Sequence, residues 1–291
     1  MTKKKAGAFD DNFIMSPKYD FVFKYIFGNE KHKDLLIALL SDVLGLPKDE
    51  FEGIEFMNNE LLKEFQEDKK GILDIRIRTP AGKQIDVEIQ VLPNEFMAER
   101  SVFYWSKMYT SQIHPGDTYD KLKKCVAINI VDFECTPLKK LYSKYHLTED
   151  ETGYRLTDII EIHFLEISKL FNVEINRDEN DPIVQWMEFI DAKSRGVLEM
   201  LSEKNTDIKK AFDLLQIISK DEKARMLYEA RQAEISDQLT RLKSAEERGM
   251  ANKAIEAATN LLRFGVSTDI IVSSIGLSIE KVLELKKTII H

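Results

Sequence analysis

Asp74, Glu88 and Gln90 are the side chains whose types and spacing best suit chemistry. They stand on a stretch, Gly71 to Val91, that alternates strictly. Leu73, Ile75, Ile77, Ile85, Val87, Ile89 and Val91 are apolar. Asp74, Arg76, Arg78, Gln84, Asp86, Glu88 and Gln90 between them are polar. That is the period of two half-buried β-strands. Thr79-Pro80-Ala81-Gly82 supplies the turn: proline presets φ, and glycine takes the left-handed conformation of a three-residue loop with a bulge. If Thr79 pairs with Lys83, Ile77 faces Ile85, Ile75 faces Val87 and Asp74 faces Glu88. Directly opposed residues have Cβ atoms about 4.5–5.5 Å apart, and like charges there repel. Two facing carboxylates beside Gln90 suit a hard divalent cation such as Mg²⁺, which takes oxygen ligands and keeps several waters. The plainer alternative is a solvated polar face with Arg76 paired to Asp86.

The elements that must position these residues are legible around them. Ser16-Pro17 opens a helix over Lys18–Phe27, with Ser16 as N-cap and Gly28 as stop. Asp20 on that helix has two readings: a surface pair with Lys24 four residues on, or a carboxylate aimed at the hairpin's polar face. Leu35, Leu36, Leu39, Leu40, Val43 and Leu44 define a second helix from about Lys31, ended by Gly45 and Pro47. Ile54–Met57 reads as a first strand. Asn59–Asp68 is polar and shows no regular pattern.

After Pro93 a helix from about Glu95 to Ile113 takes its apolar faces from Phe96, Met97, Val102, Phe103, Trp105, Met108 and Tyr109. Arg100, Tyr104, Lys107 and Ser111 fall on one stripe, which is either phosphate-binding or an ordinary solvated face. Val126–Phe133 is a core strand. Tyr142–Leu147 and Ile160–Ile167 read as a meander added to the same sheet, with His146 and His163 structural and Glu166 and Lys169 at a strand end. The order predicts an α/β domain with a mixed sheet.

From Pro182 the pattern is helical. Ile183–Ile190 and Ile208–Ile218 mark two helices. Asp221–Arg263 is a nearly continuous helix former, with Gly249 as the one expected break and a thin stripe of Leu227, Ile235, Leu239 and Leu242. Such a stripe suits pairing with another copy or lying over a core. Two short helices around Gly276, each begun by a serine, resemble a helix-turn-helix without its third helix. The expected division is a flexible arm over 1–15, a domain over 16–180 and a helical region over 181–291.

Composition excludes several classes. The 291-residue chain carries net charge −8 and has a pI of about 5.4. It does not hold nucleic acid by bulk positive charge, although a local basic patch or a phosphate-screening metal remains compatible. Met1-Thr2-Lys3-Lys4-Lys5 is not followed by the apolar run of a signal peptide. No segment reaches the ~18–20 apolar residues of a membrane span. Cys125 and Cys135 fit neither a metal spacing nor a disulfide framework. A cytoplasmic location without membrane partners is therefore expected. No Walker loop, GxGxxG, GxSxG or paired Cys/His cluster is present.

Five segments in consistent order carry a resemblance: Ser16–Lys24, Gly71–Arg76, Val87–Gln90, Glu99–Trp105 and Ile128–Phe133. Over about residues 14–170 they resemble the recombination-promoting nuclease/putative transposase family of the PD-(D/E)XK nuclease superfamily. The resemblance implies a restriction-endonuclease-like core, with a mixed central sheet flanked by helices and followed by helical C-terminal elements. It implies a DNA endonuclease using Mg²⁺, with Mn²⁺ as a substitute, near recombination, mobile elements or phage defence. Asp74, Glu88 and the Ile89 carbonyl would hold metal. Gln90 and Asp20 would act beside them, and Arg100, Tyr104 and Lys107 would meet phosphate. Leu73 stands where the motif has proline. Gln90 stands where it usually has lysine, and glutamine can neither act as a base nor carry charge. The alternative function is an oligomerising or DNA- or protein-binding module of nuclease shape. In either case a homo-oligomer through the C-terminal helices is expected.

Overall fold

Six strands form one mixed sheet, and the two strands of the hairpin carry apolar residues at every second position. The computed structural model describes residues 13–59, 74–192 and 194–289. Leu73, most of the arm and most of the unpatterned Asn59–Asp68 segment lie outside them. The strands are β1 (Glu55–Phe56), β2 (Ile75–Arg78), β3 (Gln84–Gln90), β4 (Cys125–Val131), β5 (Tyr142–Tyr145) and β6 (Ile160–Glu166). Their order is β1-β2-β3-β4-β6-β5. In the β2–β3 hairpin Ile75 lies opposite Val87 and Ile77 opposite Ile85. The Thr79 amide donates to the Lys83 carbonyl at 2.9 Å and the Gly82 amide to that of Thr79 at 2.8 Å. Gly82 has φ 84°, the left-handed region that glycine enters without a Cβ clash.

The expected meander is not formed. β6 lies between β4 and β5, parallel to β4 and antiparallel to β5. Burial explains the order. β6 is buried along nearly its whole length and takes an inner position, whereas short, half-exposed β5 takes the edge.

One sheet face is covered by α3 (Met97–Thr110), whose Met97 packs on Ala127, Val131, Phe133, Ile162 and Phe164. Of the apolar residues expected to bury this helix, Met97 and Met108 do so, while Phe96, Val102 and Phe103 face outward. The other face meets α1 (Asp20–Phe27) and α2 (Lys33–Leu44): Gly28 abuts Ile75, and the Tyr142 hydroxyl donates to the Val43 carbonyl at 3.1 Å. Tyr19, not Ser16, is the N-cap of α1. The chain before it is held instead by tertiary bonds, from the Met15 amide to Ser219 Oγ at 3.0 Å and from the Ser16 amide to Tyr228 Oη at 3.2 Å.

Three helices, not the two expected, follow: α4 (Pro182–Asp191), α5 (Arg195–Lys204) and α6 (Thr206–Lys220). Fully buried Trp186 meets Phe27 edge-on at 5.6 Å and donates to Asp42 at 2.7 Å. These helices therefore complete the core, and the expected boundary at residue 180 falls inside a compact unit that ends at Arg231. α7 (Glu222–Arg263) passes through Gly249 without a break. Its first turns belong to this unit, where Tyr228 sits edge-on to Phe13, Tyr19 and Phe21.

The second unit, Gln232–His291, contains the rest of α7 with α8 (Thr268–Ile275) and α9 (Ile279–Ile289). Buried Ala258, Ile271 and Val282 form its centre, so the end of α7 is the third helix of the terminal bundle. Ser278 accepts from the Lys281 amide at 3.3 Å, while Ser267 makes no side-chain cap.

His146 and His163, for which the sequence offers no partners, both meet Glu161. The distances are 3.2 and 2.7 Å, and the Tyr142 hydroxyl is 2.7 Å from His163 Nδ1. Lys169 and Glu166 form a buried ion pair at 2.9 Å that also anchors Thr136. Cys125 and Cys135 are free, and burial pushes both thiols up to about 12. Among the described residues no helix is long and apolar enough to cross a membrane.

Candidate active site

The hairpin register brings Asp74 beside Glu88 at the end of β2. The Asp74 amide donates to Glu88 Oε1 at 3.0 Å, and the Ile89 amide donates to Asp74 Oδ2 at 2.9 Å. Each carboxylate thus accepts from main chain of the other's strand. Gln90 Nε2 donates to Glu88 Oε2 at 3.2 Å. At Ile89 the visible contact to the pair is its amide, where the resemblance implies a role for its carbonyl.

Two cations reach the acids from different helices. From α1, Lys24 Nζ lies 2.8 Å from Asp74 Oδ1. From α3, Arg100 Nη2 lies 3.4 Å from Glu88 Oε2, and its guanidinium stacks on the Tyr104 ring at 4.6 Å. Lys107 lies farther along α3, half-buried. Asp20 has a third partner. Its Oδ1 lies 3.3 Å from Arg231 Nε, and the α1 residue that reaches the acids is Lys24, one turn on. The helix rotation that buries Val22, Phe23, Ile26 and Phe27 directs Lys24 to the sheet end.

The polar face is not solvated. Glu88 and Asp86 are each only 3% exposed, because α3 lies over them. Arg76 donates to Gln84 at 2.8 Å and to Ser111 at 3.3 Å, not to Asp86 as the plainer alternative has it. Asp86 Oδ1 has no hydrogen-bond partner among the described residues. Burial, then the charges of Glu88 and Asp74, holds the Asp86 carboxyl well above the usual range. Burial, then the neighbouring Asp74, pushes Glu88 up to about 7, against the pull of Arg100.

Lys24, Asp86 and Asn59 are site residues that sequence reasoning does not single out. Asn59 Nδ2 donates to the Asp74 carbonyl at 2.9 Å. Asp86 carries a sequence signal, being on the same strand face as Glu88. Lys24 has none beyond its helix. Two cavities flank the acids. One of about 370 Å³ is lined by Lys24, Asn58, Asn59 and Asp74; the other, of about 440 Å³, by Asn94, Phe96, Glu99, Arg100, Phe103 and Tyr104.

Compared with known families, residues 17–245 match the family described as PD-(D/E)XK nuclease family transposase. No curated protein and no solved structure matches the chain.

Proposed function

Because the chain belongs to the PD-(D/E)XK nuclease family transposases, we propose that it is a Mg²⁺-dependent endonuclease hydrolysing DNA phosphodiester bonds. The observation that carries this reading is the pair of reciprocal main-chain bonds that joins Asp74 to Glu88. Among the described residues no three His, Cys, Asp or Glu side chains form a ready cage. The donor set is nevertheless suited to a hard cation: two adjacent carboxylates, with the partnerless Asp86 oxygen behind them. A cation that retains several waters needs few protein oxygens. Asp74, Glu88 and the Ile89 carbonyl would hold it. Bound there, Mg²⁺ or Mn²⁺ would activate water and offset phosphate charge.

The chain's own groups divide the remaining work. Gln90 orients water through its amide but takes no proton. Lys24 supplies the positive charge that a lysine at position 90 would have carried. Arg100, held over Tyr104, meets the phosphate on the α3 side, with Lys107 farther along the same helix. Asp20 is left to bind Arg231. These cations are local, so an acidic chain can still meet DNA. On this reading the protein works in recombination, mobile elements or phage defence, as the resemblance implies.

The test is cleavage of supercoiled plasmid by purified protein in Mg²⁺, in Mn²⁺ and in EDTA. Nicking is expected in either metal and not in EDTA. Equal nicking in EDTA would rule out the proposal.

Gln90 also supports a second reading, a nuclease-shaped assembly module without turnover. Leu239, Leu242 and Met250 are exposed on α7 and favour pairing with another copy. A chain ending at Arg231 should have monomer mass by light scattering where the full chain is larger. Equal association numbers would remove the assembly role. This end point keeps Tyr228 and its aromatic contacts in the first unit.

A further inference from the structure

Beside Glu88, α3 and the N-cap residue before it display phenylalanines that the described fold does not bury. Phe96 is 61% exposed and Phe103 39%. With Arg100 between them they follow the three- and four-residue spacing of one helix face. They line the cavity of about 440 Å³ together with Asn94, Glu99 and Tyr104. Its walls are therefore flat rings, and its rim carries an amide, a carboxylate and a guanidinium. Arg100 joins this cavity to the acids, since it lies 3.4 Å from Glu88 while also lining the void.

We propose that this cavity receives the base of an unpaired nucleotide next to the phosphate under attack, so that the substrate is single-stranded or locally unpaired DNA. The inference rests on the nuclease reading for its location. Three features select a nucleobase over other occupants. A base has two π-faces for Phe96 and Phe103, a polar edge for Asn94 and Glu99, and a phosphate attached on the side where Arg100 stands. Stacking of bases on aromatic side chains tolerates any sequence. Within a duplex the same base is stacked and paired, and it must leave the helix to enter a pocket.

The test uses the full chain, with Ca²⁺ in place of Mg²⁺ to keep DNA intact. Fluorescence anisotropy compares one labelled strand in three forms: single, duplexed, and single with abasic residues through its centre. The intact single strand is expected to bind about ten- to a hundred-fold tighter than the abasic one, the range that stacking of a base or two supplies. Phe96→Ala and Phe103→Ala should bring it down to the abasic strand's affinity. Both sites are exposed, and an unchanged melting temperature checks that each variant folds. A 2-aminopurine in the strand should be quenched by the native chain and not by the variants.

Equal binding of intact and abasic strands, or no binding of any strand, overturns the pocket. So does a loss of assembly mass in the variants with the base preference kept, which assigns the phenylalanines to contact between copies. Base preference without cleavage in Mg²⁺ leaves the pocket standing and removes the nuclease reading; cleavage without base preference does the reverse.

Discussion

Asp74→Ala and Glu88→Ala are each expected to lower Mg²⁺-dependent cleavage by at least about 10³-fold, and Lys24→Ala by about 10²-fold, the scale of losing one preorganised charge at a reacting centre. The acids come first because together they form the proposed metal site, and neither has a substitute in the described fold. Asp86 stands behind the pair, two residues before Glu88 on β3, and occupies neither position. Lys24 comes next because glutamine at position 90 leaves the site without the usual ammonium. Its Nζ is already 2.8 Å from Asp74. Lys24→Arg should retain part of the rate, since it keeps the charge. Gln90→Lys in the Lys24→Ala background should recover activity by restoring a cation beside Glu88. Initial rates on plasmid and the melting temperature of each variant are the measurements. Wild-type rates in Lys24→Ala would show that this ammonium only pairs with Asp74.

Glu88→Gln is expected to stabilise the metal-free protein at pH 8 by up to about 3 kcal/mol, at 1.36 kcal/mol per pKa unit. Burial, then Asp74, raises Glu88 in the folded chain from 4.5 to about 7. The folded state therefore binds more protons than the unfolded state between these values. The contribution of this group is full below about 4.5 and falls as pH rises through 7, with nothing further lost from it above that. Glutamine does not ionise, so the variant should lack this decline. Mg²⁺ should restore stability to the native chain at pH 8, because a cation favours the ionised pair, and it should restore less to the variant. Urea unfolding in EDTA at pH 5 and pH 8, repeated with Mg²⁺, measures both effects. Identical pH slopes for native and variant chains would contradict the assigned burial of Glu88.

The sequence by itself determined the hairpin. A period of two leaves one register that buries Ile75, Ile77, Ile85 and Val87 together, and Gly82 allows the turn that closes it. That register alone sets Asp74 beside Glu88. The resemblance in five ordered segments extended this to the family and to its α/β core, with Gln90 as the visible departure. Local pattern also located the other strands, through alternation in β6 and a nearly continuous apolar run in β4.

Only the tertiary structure decided which helix residues reach the acids. Asp20 and Lys24 are one turn apart, and nothing local says which faces β2; the packing of Phe23 and Phe27 against the core selects Lys24. Packing also decided that the polar face is buried under α3, which turns Asp86 and Glu88 from solvated acids into groups that resist ionisation. It placed β6 inside and β5 at the edge, and it drew α4–α6 into the first unit through Trp186. Pairing period is a property of neighbours along the chain. Helix rotation, layer order and desolvation depend on residues far away in sequence, and they are settled only when the apolar faces meet.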